Sequence, residues 1–171
     1  LHGGGFSDGS SVEMPTYDGH NLSEFGDVVV VTLNHRLNIL GYLNVSQYAE
    51  RFQNSGNAGN ADIVAALQWI QENIASFGGD PGNVTLFGQS GGGMKVTSLM
   101  QTPAADGLFH KGIVQSGSAP NVQKITLPDS APVTEALLKA AGTEDLPVLE
   151  KVTHQACPYT PLQLPTEWTV S

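Results

Sequence analysis

The segment Gly88-Gln89-Ser90-Gly91-Gly92 constrains this chain more than any other part of it. It follows a short apolar run, Val84-Thr85-Leu86-Phe87, which predicts a strand over 84–87. It precedes a stretch that predicts a helix to about Gln101, ended by Thr102-Pro103. Glycines two places before and two places after the serine leave room for strand and helix to approach across a sharp turn. Such a turn points the serine Oγ out above the sheet edge. Because the helix begins just after Ser90, its free N–H groups and positive dipole end face any negative charge that develops there.

The surrounding pattern alternates in the same way. Residues 28–33 read Val-Val-Val-Val-Thr-Leu, a continuous β-branched run that predicts a strand buried on both faces of a parallel sheet. Ile63, Leu67, Ile70, Ile74 and Phe77 recur at spacings of four and three, which predicts a helix over 61–76 with one apolar face. Asn60 is the expected N-cap, Asp62 falls in the first turn, and Gly78-Gly79 followed by Pro81 stops the helix. Residues 112–115, Gly-Ile-Val-Gln, predict a third strand. Strand, helix, strand, helix, strand is the order of a parallel α/β sheet with crossover helices. Residues 1–27 read as loop. Beyond about residue 120 prolines punctuate the chain, with helical stretches expected near 133–141 and 146–154. The expected organisation is therefore a core portion over 1–120 and the start of a following helical and loop segment over 121–171.

A second motif lies at the start, where Leu1 is followed by His2-Gly3-Gly4-Gly5. Backbone amides of such a glycine run can reach the carbonyl oxygen of a tetrahedral intermediate. The two motifs occur in the order expected for an oxyanion loop and a nucleophile, with one strand and one helix between them. A glycine loop this early requires a strand ahead of it, there is no initial Met, and Val170-Ser171 carries no cap or charged tail. Both ends therefore read as truncations.

Taken together, His2-Gly3-Gly4-Gly5-Phe6, Asn34-His35-Arg36-Leu37, Gly56-Asn57-Ala58-Gly59 with Asp62, Phe77-Gly78-Gly79-Asp80-Pro81 with Asn83 to Gly88, and Gln115-Ser116-Gly117-Ser118 resemble the type-B carboxylesterase family, that of the cholinesterases and many bacterial esterases. The resemblance covers about residues 1–120, and the Gln89 and Gly91-Gly92-Gly93 variant looks more like bacterial members. It implies an α/β-hydrolase fold, a mostly parallel sheet with crossover helices, present here in part as the central strands and nucleophile elbow. It implies a serine carboxylesterase with Ser90 as the catalytic nucleophile and the amides of Gly4, Gly5 and Gly91 as oxyanion donors. The substrate would be a small-molecule ester, and no cofactor is implied. The family order is serine, then acid, then histidine, so both partners of Ser90 are expected far downstream. An inert fragment, or a non-catalytic binding or adhesion protein on the same fold, is the alternative; loss of the serine would mark the latter, and Ser90 is retained.

Other residues read as structural. His2 belongs to the glycine loop, His35 and Arg36 to a network just after a strand, His110 to a segment entering a strand, and Asp62 and Asp80 to a helix start and a loop. His154 follows a helical stretch outside the well-matched region and fits a base only in a diverged protein. Gln89 stands where glutamate is common in the family and removes a charge beside the nucleophile.

Several function classes are disfavoured. Gly88 and Gly93 fit the glycines of a phosphate-binding loop, but Met94 stands where lysine is required, Lys95 is one place late, and Val96 offers no hydroxyl to Mg²⁺. No clustered cysteine or carboxylate set offers a metal site. Seven Lys+Arg stand against 16 Asp+Glu, a formal charge of −9, which repels phosphate backbones and argues against nucleic acid. The one cysteine, Cys157, excludes an internal disulfide. No apolar run approaches the roughly 20 residues of a membrane-spanning helix. Asn21, Asn44 and Asn83 head glycosylation sequons that matter only in a secretory compartment.

Overall fold

The run before the glycine turn becomes strand β1, Thr85–Gln89, with Leu86 and Gly88 buried and Thr85, Phe87 and Gln89 outward. The period-two pattern of a half-buried strand accounts for this alternation. It begins one residue later than the apolar run predicts and continues through Gln89. Strand β2, Lys111–Gln115, pairs with it in parallel, with Thr85 opposite Lys111 and Gln89 opposite Gln115. Helix α4, Gly91–Leu99, makes the crossover and packs on both strands. The computed structural model describes residues 1–117 and 130–144. It divides into two compact units, Leu1–Pro128 and Asp129–Ser171.

Helix α3, Ala58–Asn73, continues as a 3-10 turn over Ile74–Phe77. Its buried face carries the predicted Ile63, Leu67, Ile70 and Ile74 and also Val64, and these join Leu86 of β1, Val96 and Leu99 of α4, and Ala105 in a single apolar cluster. Burying such side chains stabilises by about 1.5–3 kcal/mol each. Phe77 leaves the stripe and is exposed, because the tighter 3-10 turn rotates it off the α-helical face. Gly78, at φ 84, then closes the helix as predicted.

Two other expectations change. The helix starts earlier than predicted, with Asn57 at the N-cap, so Asn60 is not the cap. Its side chain spans helices instead, donating to Ser98 Oγ at 3.0 Å and accepting from the Tyr42 hydroxyl at 3.3 Å. Residues 28–33 form no strand. A strand is defined by its ladder, and no backbone hydrogen bond reaches this run among the described residues. Val28, Val29 and Val31 are exposed rather than buried on both faces.

Residues 1–27 are less irregular than their composition predicts. They hold a 3-10 turn at Pro15–Tyr17 and helix α1, His20–Gly26, whose first amide donates to Asp18 Oδ1 at 2.9 Å. Helix α2, Asn38–Tyr42, packs on α3. The Arg36 main-chain amide and guanidinium both bind the Asp62 carboxylate, at 2.9 Å and 2.7 Å. These hydrogen bonds hold the Asp62 carboxyl below its ordinary range and tie the segment after residue 33 to α3. Asp80 accepts from the Gly82 amide, and His110 Nδ1 accepts from the Val84 amide at 3.2 Å, the structural roles expected of both.

In the second unit, helix α5, Ala131–Ala140, coincides with the helical stretch expected near 133–141 and buries Thr134 and Leu138. The stretch near 146–154, His154 and Cys157 lie outside the described residues. No described helix is long and apolar enough to cross a membrane.

Leu67 is fully buried at the centre of the apolar cluster. Leu67→Ala should lower the unfolding free energy of the whole protein by about 2–5 kcal/mol, measured by urea denaturation.

Candidate active site

The glycine turn aims Ser90 by means of a backbone few residues adopt. Ser90 has φ 54 and ψ −122, outside the ordinary left-handed well, and stands at the N-cap of α4. Such a conformation costs about 1–3 kcal/mol and persists only where the surroundings over-determine it. Here they do. The Ser90 amide donates to the Gln115 carbonyl at the end of β2 (2.8 Å), and its carbonyl accepts from Met94 (3.0 Å). A Cβ built on Gly88 would overlap the Gly92 backbone, so strand and helix meet through two glycines. Ser90 is exposed, and its hydroxyl has no hydrogen-bond partner among the described residues.

The glycine loop at residues 3–5 lies directly against this turn. A Cβ on Gly91 would stand 2.5 Å from the Gly5 nitrogen, and one on Gly3 would stand 3.9 Å from Ser90 Cβ. A Cβ on Gly92 would overlap the Leu1 carbonyl oxygen and lie 2.9 Å from that of His2. The loop that carries Gly4 and Gly5 therefore lies alongside Ser90 and Gly91, the residues that the resemblance groups together. The amides of Gly4, Gly5 and Gly91 make no hydrogen bond among the described residues, and that of Gly91 is the first of the free donors of α4.

Beneath the loop lies a pair of buried rings. His2 and His35 stack with centroids 4.9 Å apart and planes 6° from parallel. Each Nδ1 donates to a carbonyl, His2 to Gly3 at 3.1 Å and His35 to Arg36 at 3.0 Å. Burial, aided by the positive charge of Lys95, pushes His2 below its ordinary value; burial likewise lowers His35. Both rings are thus neutral near pH 7, and His2 serves the loop's architecture.

The residue that sequence reasoning passed over is Lys95. In the sequence it reads only as a misplaced phosphate-loop lysine, yet its side chain is fully buried. Its Nζ donates to the carbonyls of His2 (3.1 Å) and Gly3 (3.3 Å), and it sits 5.3 Å from the centre of the Phe6 ring. The available signal was a lysine on the same helix face as Gly91 and Gly92, one residue before the core residue Val96. A cleft of about 260 Å³ lies beside the end of β1, lined by Tyr17, Leu22, Val31, Leu33, Phe87 and Gln89 among others, but Ser90 does not line it.

A family model described as the carboxylesterase family matches residues 1–153. The para-nitrobenzyl esterase of Bacillus subtilis is 45% identical over 145 residues, covering 85% of this chain and 28% of the relative. A medium-chain fatty acyl-CoA hydrolase precursor from Anas platyrhynchos is 46% identical over 144 residues, covering 84% and 24%. Among solved structures, an esterase from Clostridium hathewayi described as hydrolysing aliphatic aromatic polyesters superposes with a TM-score of 0.84 at 57% identity, covering 92% of this chain and 32% of that one. The fold is that of the α/β-hydrolase carboxylesterases, of which this chain spans about a quarter to a third of the length.

Two predictions follow from the packing at the turn. Gly92→Ala must displace the Leu1–His2 backbone. It should cost about 1–3 kcal/mol of stability as overpacking, read as a lower urea midpoint. The lowered pKa values of His2 and His35 mean that the unfolded chain binds more protons as pH falls below about 6.5. Stability should therefore drop between about pH 7 and about pH 5, and His35→Gln should lose less over that interval.

Proposed function

The chain belongs to the carboxylesterase family, and from that membership we propose that it is the nucleophile-bearing portion of a longer serine carboxylesterase. Ser90 Oγ attacks the carbonyl carbon of an ester. The alcohol leaves, and an acyl-enzyme remains on Ser90. Water then attacks the acyl carbon and releases the carboxylic acid. A histidine elsewhere in the longer protein takes the Ser90 proton and returns it to the leaving alcohol, and an acid orients that histidine. The amides of Gly4, Gly5 and Gly91 bind the oxyanion of both tetrahedral intermediates. Neither step calls for a metal or an organic cofactor.

The observation that carries this reading is the strained Ser90 backbone at the N-cap of α4, set against a glycine loop whose Gly4 and Gly5 amides are unpaired among the described residues. Unpaired donors at a helix start are free to meet a negative oxygen without first breaking another bond. Small carboxylic esters are the substrate class, and the likeness to the Clostridium hathewayi esterase adds aliphatic aromatic polyesters as a class to be assayed.

In the full-length protein, Ser90→Ala should reduce hydrolysis of p-nitrophenyl acetate by at least about 1,000-fold. Circular dichroism should show the variant folded. Turnover like that of the wild type in a folded Ser90→Ala protein would contradict the assignment.

A further inference from the structure

Three candidates stand outside the reaction as proposed. The cleft beside β1 is walled in part by the exposed valine run, and nothing shows what covers it. The stacked His2–His35 pair is held by its own carbonyls. Lys95 is different, because its fully buried ammonium is spent entirely on the loop beside Ser90.

We propose that Lys95 is a positioning residue for the oxyanion loop, gripping the His2 and Gly3 carbonyls so that the Gly4 amide is aimed and strengthened as a donor. This rests on the esterase reading above. The Gly3 carbonyl and the Gly4 N–H belong to one peptide group, and no cis peptide bond occurs among the described residues. In a planar trans peptide the two point in opposite directions. Holding the oxygen on Lys95 at 3.3 Å therefore turns the N–H away from the ammonium. A cation on the carbonyl oxygen also polarises the amide and makes its N–H a stronger donor. The neighbouring His2–Gly3 peptide is held in the same way at 3.1 Å.

The charge matters as well as the hydrogen bonds. Among the described residues no carboxylate lies within ion-pair distance of Lys95. Burial lowers its pKa to about 8, while the more distant Glu13 and Asp8 oppose that shift. A buried ammonium with no carboxylate at ion-pair distance is a costly way to cap two carbonyls, and a neutral donor would suffice for capping alone. A positive charge close to the loop favours an intermediate that carries a negative oxygen over a neutral substrate. The other titratable groups that Lys95 faces are His2, His35, the Leu1 amine, Asp8 and Glu13. Burial lowers His2 and His35 below their ordinary values, so both rings are neutral at pH 8, and burial likewise lowers the Leu1 amine.

The test uses the full-length enzyme and two variants. Lys95→Gln keeps a donor without charge, and Lys95→Met keeps neither. Expected are kcat losses of about 10-fold for Gln and about 100-fold for Met on p-nitrophenyl acetate, with KM within about twofold. The inhibition constant of an aryl trifluoromethyl ketone, which forms an oxyanion on the serine, should weaken by the same factors. Wild-type kcat should fall above about pH 8, where Lys95 loses its proton, and this limb should be absent from Lys95→Gln. Unchanged kcat and ketone affinity in a folded variant would overturn the proposal. So would a kcat loss that the ketone does not share, which marks a merely structural role. If neither variant folds, ketone affinity of the wild type decides: weakening above about pH 8 supports the proposal and a flat profile overturns it. Wild-type-like turnover in Ser90→Ala sinks the esterase reading itself; an inactive Ser90→Ala beside a fully active Lys95→Gln removes only the role of Lys95.

Discussion

Gly92 has no room for a side chain, and much of the site is arranged around that fact. Its Cα faces the carbonyl oxygens of Leu1 and His2 on one side and the backbone of Gly88 on the other. Three pieces of main chain, the strand end, the helix start and the glycine loop, thus meet at separations that only glycine permits. The contact does two things at once. It forces the tight turn that leaves Ser90 at φ 54, and it brings residues 3–5 alongside that turn. The serine and the amides that would serve it are set by one packing constraint, so a shift in either would move both.

The second constraint is electrostatic. The loop is held by a buried cation, which also sits 5.3 Å from the centre of the Phe6 ring, and by two neutral stacked rings. Removing water raises the strength of each of these interactions and the penalty for leaving one unmade. A glycine run has little intrinsic preference for one conformation, so the loop needs such support to present its amides at fixed angles. Residues that flank the site without touching a substrate therefore share in what it can do.

Much of this was legible in the sequence, and the failures have a common cause. The meeting of the two glycine motifs is implied by the family resemblance, whereas the turn around Ser90, the strands β1 and β2 and the buried face of α3 follow from local pattern and spacing. Those features depend on near neighbours in the chain. Asn60 reads as a cap because asparagine favours that position, but its partners Ser98 and Tyr42 come from other elements. The valine run at 28–33 reads as a buried strand, yet a strand exists only with a ladder partner, and none reaches it among the described residues. Lys95 reads only as a phosphate-loop lysine one residue out of place. Only the fold reveals that two carbonyls more than 90 residues away receive it. Features fixed by distant partners are the ones that residue type alone does not disclose.

The central claim is that Ser90 and the amides of Gly4, Gly5 and Gly91 form one reacting unit. The most direct measurement is a crystal structure of the full-length enzyme inactivated by an alkyl fluorophosphonate, which mimics the tetrahedral intermediate. The account predicts phosphorus bonded to Ser90 Oγ, with the phosphoryl oxygen within about 3.1 Å of those three amides. A phosphonate bonded to another side chain, or an oxygen directed away from the glycine loop, would contradict it.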